Sequence, residues 1–165
     1  MADITYTAKA TERKASPGTV PGKGNANALQ VLGTADHILG AVASGVTVKM
    51  CRIPANARLS SQSRIYWDDL STTGSPTLDV GLASVDANIT SDPDALTDGL
   101  DAATATITGA PLLKVIADSG KPAWEIAGAS TDPGGELDVY VSVKDAATAG
   151  ITTGHIVVEV LGYLD

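Results

Sequence analysis

Apolar and polar positions alternate along most of this chain, in short blocks separated by Gly, Pro, Asn, Asp and Ser. The clearest block is ELDVYVSV, where Leu137, Val139, Val141 and Val143 fall on one face and Glu136, Asp138, Tyr140 and Ser142 on the other. A period of two is the mark of a half-buried strand. TLDVGLA likewise predicts Leu78, Val80 and Leu82 inward and Thr77, Asp79 and Gly81 outward, with Gly81 marking a bulge or the close approach of another backbone. VTVKMCRI divides into Val46, Val48, Met50 and Arg52 against Thr47, Lys49, Cys51 and Ile53, and neither face is purely polar. After the turn PANA, ARLSSQSRIYW sets Leu59, Ser61, Ser63, Ile65 and Trp67 opposite Arg58, Ser60, Gln62, Arg64 and Tyr66. The stretch Gly45–Ala83 thus reads as three consecutive strands. The last block, HIVVEVLGYL, places Ile156, Val158 and Val160 on one face and Val157, Glu159, Leu161 and Tyr163 on the other. Two largely apolar faces imply a strand covered on both sides, with a neighbouring subunit as one candidate cover.

The remaining blocks are less regular. ALQVLGTADHILG (Ala28 to Gly40) is cut by Gly33 and Gly40 into pieces too short for a stable helix, which favours a strand. ATATITG, LLKVIAD and KPAWEIAG also read as strands, with Trp124 anchoring the core. PDAL predicts a short helical turn capped by Asp92, with Pro93 at its first position. Residues 1–27 differ from all of these: SPGTVPGKGNAN strings together Pro, Gly and Asn and predicts an extended arm. The expected organisation is an arm over residues 1–27 and a β-domain over residues 28–165.

Composition narrows the architecture. A chain of 165 residues fits one domain. It has no Phe and only 4% aromatic residues, so its core must be built from small and β-branched side chains. Seventeen Gly and eight Pro supply turn signals at the spacing of a sandwich or barrel. The net charge of −8 argues against nucleic acid as the main partner, because phosphate binding needs clustered Lys and Arg. The charge is also uneven. Lys9, Arg13, Lys14 and Lys23 stand against Asp3 and Glu12 in the arm, whereas Asp68 to Asp138 holds thirteen acidic residues against Lys114 and Lys121. The single cysteine, Cys51, allows no internal disulfide. The opening MADITYTAKATERK has no apolar core of a signal peptide, and no apolar run approaches the ~20 residues of a membrane span, so an intracellular product without membrane contact is expected.

Candidate chemistry is sparse. GTVPGKG falls one residue short of a phosphate loop, has Gly24 where a metal-holding hydroxyl belongs, and follows no strand. Asp92, Asp94, Asp98 and Asp101 could gather oxygen ligands for calcium, but their spacing matches no EF-hand loop and favours solvated acids. Asp68 and Asp69 are adjacent and diverge, so they do not converge across a substrate. Asp36 and His37 would point to opposite faces of a strand, and His155 reads as a surface residue. No catalytic, cofactor-binding or metal-binding constellation is expected, and the chain does not read as an enzyme.

One resemblance adds to this. CRIPANARLSSQSRIYWDDLSTTGSPTLDVGLASVD, with ELDVYVSVKDAATAGITTGHIVVEVLGYLD, resembles the small head-decoration (cement) proteins of tailed bacteriophages. The shared features are a strand ending in R-I-P-x-x-A-R, a segment P-T-L-D-V-G-L-A and a last strand V-V-E-V-x-G-Y. The likeness covers less than half of the chain and consists of strand and turn patterns. It implies an all-β, jelly-roll-like antiparallel β-sandwich with an extended N-terminal arm. It also implies a virion protein on the capsid surface, made in the host cytoplasm, that binds the major capsid protein as a homo-oligomer, with a trimer favoured. The interface residues expected from the charge of the arm and the polar strand face are Lys9, Arg13, Lys14 and Lys23 in the arm and Arg58, Gln62, Arg64 and Tyr66 on the sandwich. The two strand arginines need acidic partners, either within the chain around Asp86–Asp101 or across a subunit contact, where Arg and Tyr are enriched. The competing class is a carbohydrate-binding sandwich of a fibre or tail, with Tyr66, Trp67, Trp124 and Tyr140 as candidate sugar platforms.

Overall fold

The computed structural model describes residues 6–7, 29–39, 45–70, 75–85, 90–145 and 154–164. Its strands are β1 (Tyr6–Thr7), β2 (Gln30–Leu39), β3 (Thr47–Pro54), β4 (Arg58–Leu59), β5 (Arg64–Trp67), β6 (Thr77–Ser84), β7 (Asp92–Asp101), β8 (Thr106–Pro111), β9 (Glu136–Asp145) and β10 (Gly154–Tyr163). A 3₁₀ turn, Ile116–Asp118, and one short helix, α1 (Ala123–Ile126), lie between β8 and β9. The first sheet has the order β1-β3-β9-β6-β7, the second β2-β10-β5-β8, and β4 also pairs with β10. Pairing is antiparallel except for β1, which adds in parallel to the edge of β3, Tyr6 opposite Val48. Setting β1 and β4 aside, the strands in chain order are arranged first-eighth-third-sixth and second-seventh-fourth-fifth. This is the order of a jelly roll, in which the last strand closes against the first.

The core lies between the sheets and follows the predicted alternation. Leu78, Val80 and Leu82 of β6 and Leu137, Val139, Val141 and Val143 of β9 meet Ile156, Val158 and Val160 of β10 and Ile65 of β5. Each such side chain contributes roughly 1.5–3 kcal/mol by leaving water. Many Leu, Val and Ile residues thus replace the few large aromatics of an ordinary core. Trp67 completes this layer, its indole N–H donating to Thr104 O at 2.9 Å.

Five predicted elements come out differently. In β3 the register slips between Lys49 and Cys51 opposite β9, so Val48, Met50, Cys51 and Ile53 are all buried while Lys49 and Arg52 turn outward. An inserted residue flips every side chain beyond it, which removes Arg52 from the face that strict alternation gave it. The predicted strand Arg58–Trp67 is interrupted: Ser60 to Ser63 form a turn, with Ser63 N–H bonded to Ser60 O, and β4 and β5 pair separately with β10. KPAWEIAG is not a strand. Pro122 precedes α1, and the N–H groups of Ala123 and Trp124 donate to the carbonyls of Ala57 and Ala55 in the PANA turn. Ala55, Ala57 and Ala123 are fully buried, so only small side chains allow this seat. LLKVIAD becomes a loop ending in the 3₁₀ turn. The predicted helix PDAL is the start of β7 instead, because Ala95, Leu96 and Thr97 are pulled into the core edge and Thr97 Oγ1 donates to Leu112 O at 2.5 Å.

Candidate functional site

The two outer faces of the sandwich are unlike. On the first sheet, the polar face of β9 presents Glu136, Asp138, Tyr140, Ser142 and Lys144, flanked by Lys49 and Arg52 of β3 and Asp79 and Gly81 of β6. Its charges are paired. Lys49 bridges Asp138, Arg52 Nε reaches Asp138 at 2.8 Å and Glu136 accepts from Arg52 at 3.5 Å. Lys144 reaches Asp98 at 2.8 Å and Asp79 at 3.6 Å. These carboxylates raise the pKa of Arg52 and Lys144.

The middle of this face is also sealed by the chain itself. A Cβ on Gly81 would run into the backbone of Asp92 and Pro93 at the start of β7, which explains why that position is glycine. Beside it Tyr140 is 9% exposed, and burial followed by the Asp92 and Asp94 charges pushes its hydroxyl up to about 12. Asp79 is buried and accepts Gly99 N–H at 2.7 Å. Asp92 is held above the usual carboxylate range by burial and by its hydrogen bond with Asp94, and Asp94 is held below it by that same bond.

The second sheet is open. Along β10 the outward residues are His155, Val157, Glu159, Leu161 and Tyr163, and the ladder sets their neighbours. Ile38 lies beside His155; Asp36 and Tyr66 flank Val157; Thr34 and Arg64 flank Glu159; Val31 lies beside Leu161 and Arg58 beside Tyr163. Val31 and Ile38 are 55% and 58% exposed, and Ile107 on the edge strand β8 is 92% exposed. Apolar side chains therefore run across the sheet without cover among the described residues. At their centre Arg64 and Glu159 stand opposite each other, yet the guanidinium donates to Ser61 O at 2.9 Å and Ser63 O at 3.2 Å. Among the described residues no carboxylate pairs with Arg64 and no cation with Glu159.

Three of the expected interface residues thus share this face: Arg58, Arg64 and Tyr66. Arg58 donates to Gly120 O at 2.9 Å. Tyr66 lies half-buried with its ring against Gly109, which has φ +73° and where a Cβ would meet the ring. Gln62 does not belong to a strand face; it is exposed in the turn between β4 and β5. Lys9, Arg13, Lys14 and Lys23 lie outside the described residues. The carboxylates around Asp92–Asp101 do not serve Arg64: Asp94 pairs with Lys114 at 3.7 Å and Asp98 with Lys144. Asp101 accepts Ala103 N–H, and no group of three or more metal-ligating side chains occurs among the described residues.

Sequence reasoning missed Asp36 and His155 as partners. They are 119 positions apart, and only the β2–β10 pairing brings His155 Nδ1 to 2.9 Å from Asp36 Oδ1. Asp36 raises the pKa of His155, while His37, on the other face of β2, has its pKa lowered by burial. The buried Cys51 thiol is pushed up to about 12 by burial, which leaves it without thiolate character near neutral pH. A surface hollow of about 430 Å³ between Thr90 and Ala127–Thr131 carries no titratable side chain. The four aromatic residues proposed as sugar platforms are Trp67 and Tyr140, which are buried, and Tyr66 and Trp124, which are half-buried.

No family model and no curated protein matches the sequence. Two solved structures share the fold. One is a chain of the cyanophage Pam1 capsid asymmetric unit, similar over 89% of this chain and 92% of that one, with a TM-score of 0.59 and 20% identity. The other is a chain of the capsid of Ralstonia phage GP4, over 82% and 86%, with a TM-score of 0.51 and 18% identity. At these identities the similarity is one of fold.

Proposed function

We propose that this chain is a virion structural protein that decorates the outer surface of a tailed-phage head and stabilises the shell without catalysis. The observation that carries the reading is the fold itself, a jelly roll matched over most of its length by chains from two phage capsids. The decoration motifs quoted from the sequence narrow it from capsid protein to cement. The residues of those motifs serve the architecture. RIPANAR forms the end of β3 and the turn on which α1 is seated, and PTLDVGLA supplies β6 with the glycine over which β7 crosses. The partner is the major capsid protein, met by the basic arm over residues 1–27 and by the sandwich over residues 28–165, as a small homo-oligomer. Binding of this kind sums modest contacts over many symmetric copies.

The test is co-sedimentation of the purified chain with capsids assembled without it. Saturable, stoichiometric attachment and a raised temperature of capsid disruption are expected; no attachment to either unexpanded or expanded shells would overturn the proposal. A glycan-binding role finds little support, since none of Tyr66, Trp67, Trp124 and Tyr140 is an exposed platform.

A further inference from the structure

We infer that the open face of the second sheet is the contact between two copies of this chain, which pack β10 and β5 against the same strands of a partner, with β2 of each over β8 of the other. This rests on reading the chain as an assembling structural protein, but not on the capsid as its target.

Three observations converge. The face exposes Val31 and Ile38 at the two ends of β2, with Thr34 and Asp36 exposed between them and Val157, Leu161, Tyr163 and Tyr66 half-buried alongside. Exposed apolar side chains rimmed by charged ones are the composition of a protein contact surface. Among the described residues its central charges, Arg64 and Glu159, have no ion-pair partner, Arg64 bonding only the Ser61 and Ser63 carbonyls, in contrast to the paired lattice on the opposite sheet. Finally, the sign changes across the strands. Asp36 on β2 and Glu159 on β10 are negative, and Arg64 on β5 and Arg58 on β4 are positive.

That last arrangement selects the occupant. A copy turned about a two-fold axis that runs along the strands between β10 and β5 brings its β5 over β10 and its β10 over β5, so that Arg64 of each copy meets Glu159 of the other. The face is complementary to itself, as an isologous contact requires. An acidic partner would satisfy Arg64 and bury Glu159 against its own sign; a basic partner would do the reverse. Only a surface carrying both charges in the opposite order matches both, and this chain has one. Sheets packed in this way stack about 10 Å apart with their side chains interleaved.

The experiment uses the full chain, three variants, R64E, E159R and the double variant V31D/I38D, and the equimolar mixture of R64E with E159R, with mass read by light scattering. The wild-type chain is expected to be a dimer. R64E and E159R are each expected to associate about tenfold more weakly or worse, as close interfacial charge pairs do when one sign is reversed. The mixture is the decisive arm. It restores both Arg–Glu contacts between unlike chains while leaving like charges facing each other within each chain, so recovered dimer shows that the pairing is between copies. V31D/I38D changes only exposed positions and covers the case in which a charge reversal fails to fold, which unchanged far-UV circular dichroism excludes. A monomeric wild-type chain, a trimer, or a dimer indifferent to all variants overturns the inference. Loss of capsid attachment by R64E from a wild-type chain that is monomeric also overturns it and assigns the face to the shell. A dimer that obeys the variants but binds no capsid upholds it and sinks the decoration reading instead.

Discussion

The two outer faces of this sandwich solve the same problem in different ways. On the first sheet the chain covers itself. The start of β7 crosses Gly81 with Tyr140 buried beside it, Asp79 is buried against Gly99 further along β7, and Lys49, Arg52 and Lys144 meet carboxylates on their own molecule. On the second sheet His155 meets Asp36, but Val31 and Ile38 are exposed, and among the described residues Arg64 and Glu159 have no ion-pair partner. The difference lies in the partners rather than in the number of charges. A face whose charges are paired internally has little to gain from a neighbour, whereas one that exposes Val31 and Ile38 and offers Arg64 and Glu159 no ion-pair partner among the described residues has more.

The sharpest test of the self-covered face is Gly81→Ala. The added methyl has no room against the Asp92–Pro93 backbone, so β7 must move away from β6. A loss of about 3 kcal/mol is expected in urea unfolding, as for overpacking against rigid main chain. A loss within a few tenths would mean that β7 does not seal this face. Next comes Asp79→Ala, which removes the acceptor of Gly99 N–H and one of the two carboxylates that Lys144 meets. It should cost about 1–3 kcal/mol, and Asp79→Asn less, because the amide oxygen can still accept from Gly99. Equal losses for the two variants would show that charge, not the hydrogen bond, matters there.

The open face should behave in the opposite way. Val31→Asp alone is expected to leave the unfolding free energy of the isolated chain within about 0.5 kcal/mol, the usual range for surface substitutions. A larger loss measured at low protein concentration would mean that Val31 already packs against its own molecule, and the contrast between the faces would fail.

Much of this was legible in the residues. Strict alternation placed Leu78 to Leu82 and Leu137 to Val143 correctly on the inner faces, and Gly81 announced the close approach of a second backbone. What alternation does not carry is any event that adds a residue or depends on a distant strand. The bulge in β3 sends Arg52 to Asp138, the turn Ser60–Ser63 takes Gln62 off the strand face, and the PANA carbonyls draw KPAWEIAG into a helix. The contact surface was half visible for the same reason. Arg58, Arg64 and Tyr66 could be grouped because they lie on neighbouring stretches, and Val157, Glu159, Leu161 and Tyr163 because they share β10. Their union, and the addition of Asp36, His155, Val31 and Ile38, required the order β2-β10-β5, which is set by strands far apart in the chain.

The smallest effect concerns the one titratable pair on the open face. His155 Nδ1 lies against Asp36, its backbone N–H donates to Asp68 at 2.8 Å, and both carboxylates raise its pKa above 6.5. The folded state therefore holds the imidazole proton more tightly than the unfolded chain does. The stabilisation is fully present below the unfolded pKa and is lost as pH rises through the higher, folded one. Because His155 is an exposed group the effect on folding is small, and the informative measurement is the NMR titration of its ring. Asp36→Asn should move that titration back toward lower pH, with the remaining Asp68 charge keeping part of the shift. Should the ring titrate unchanged in Asp36→Asn, the β2–β10 pair does not form in solution, and the negative side of the open face would have to be assigned to Glu159 alone.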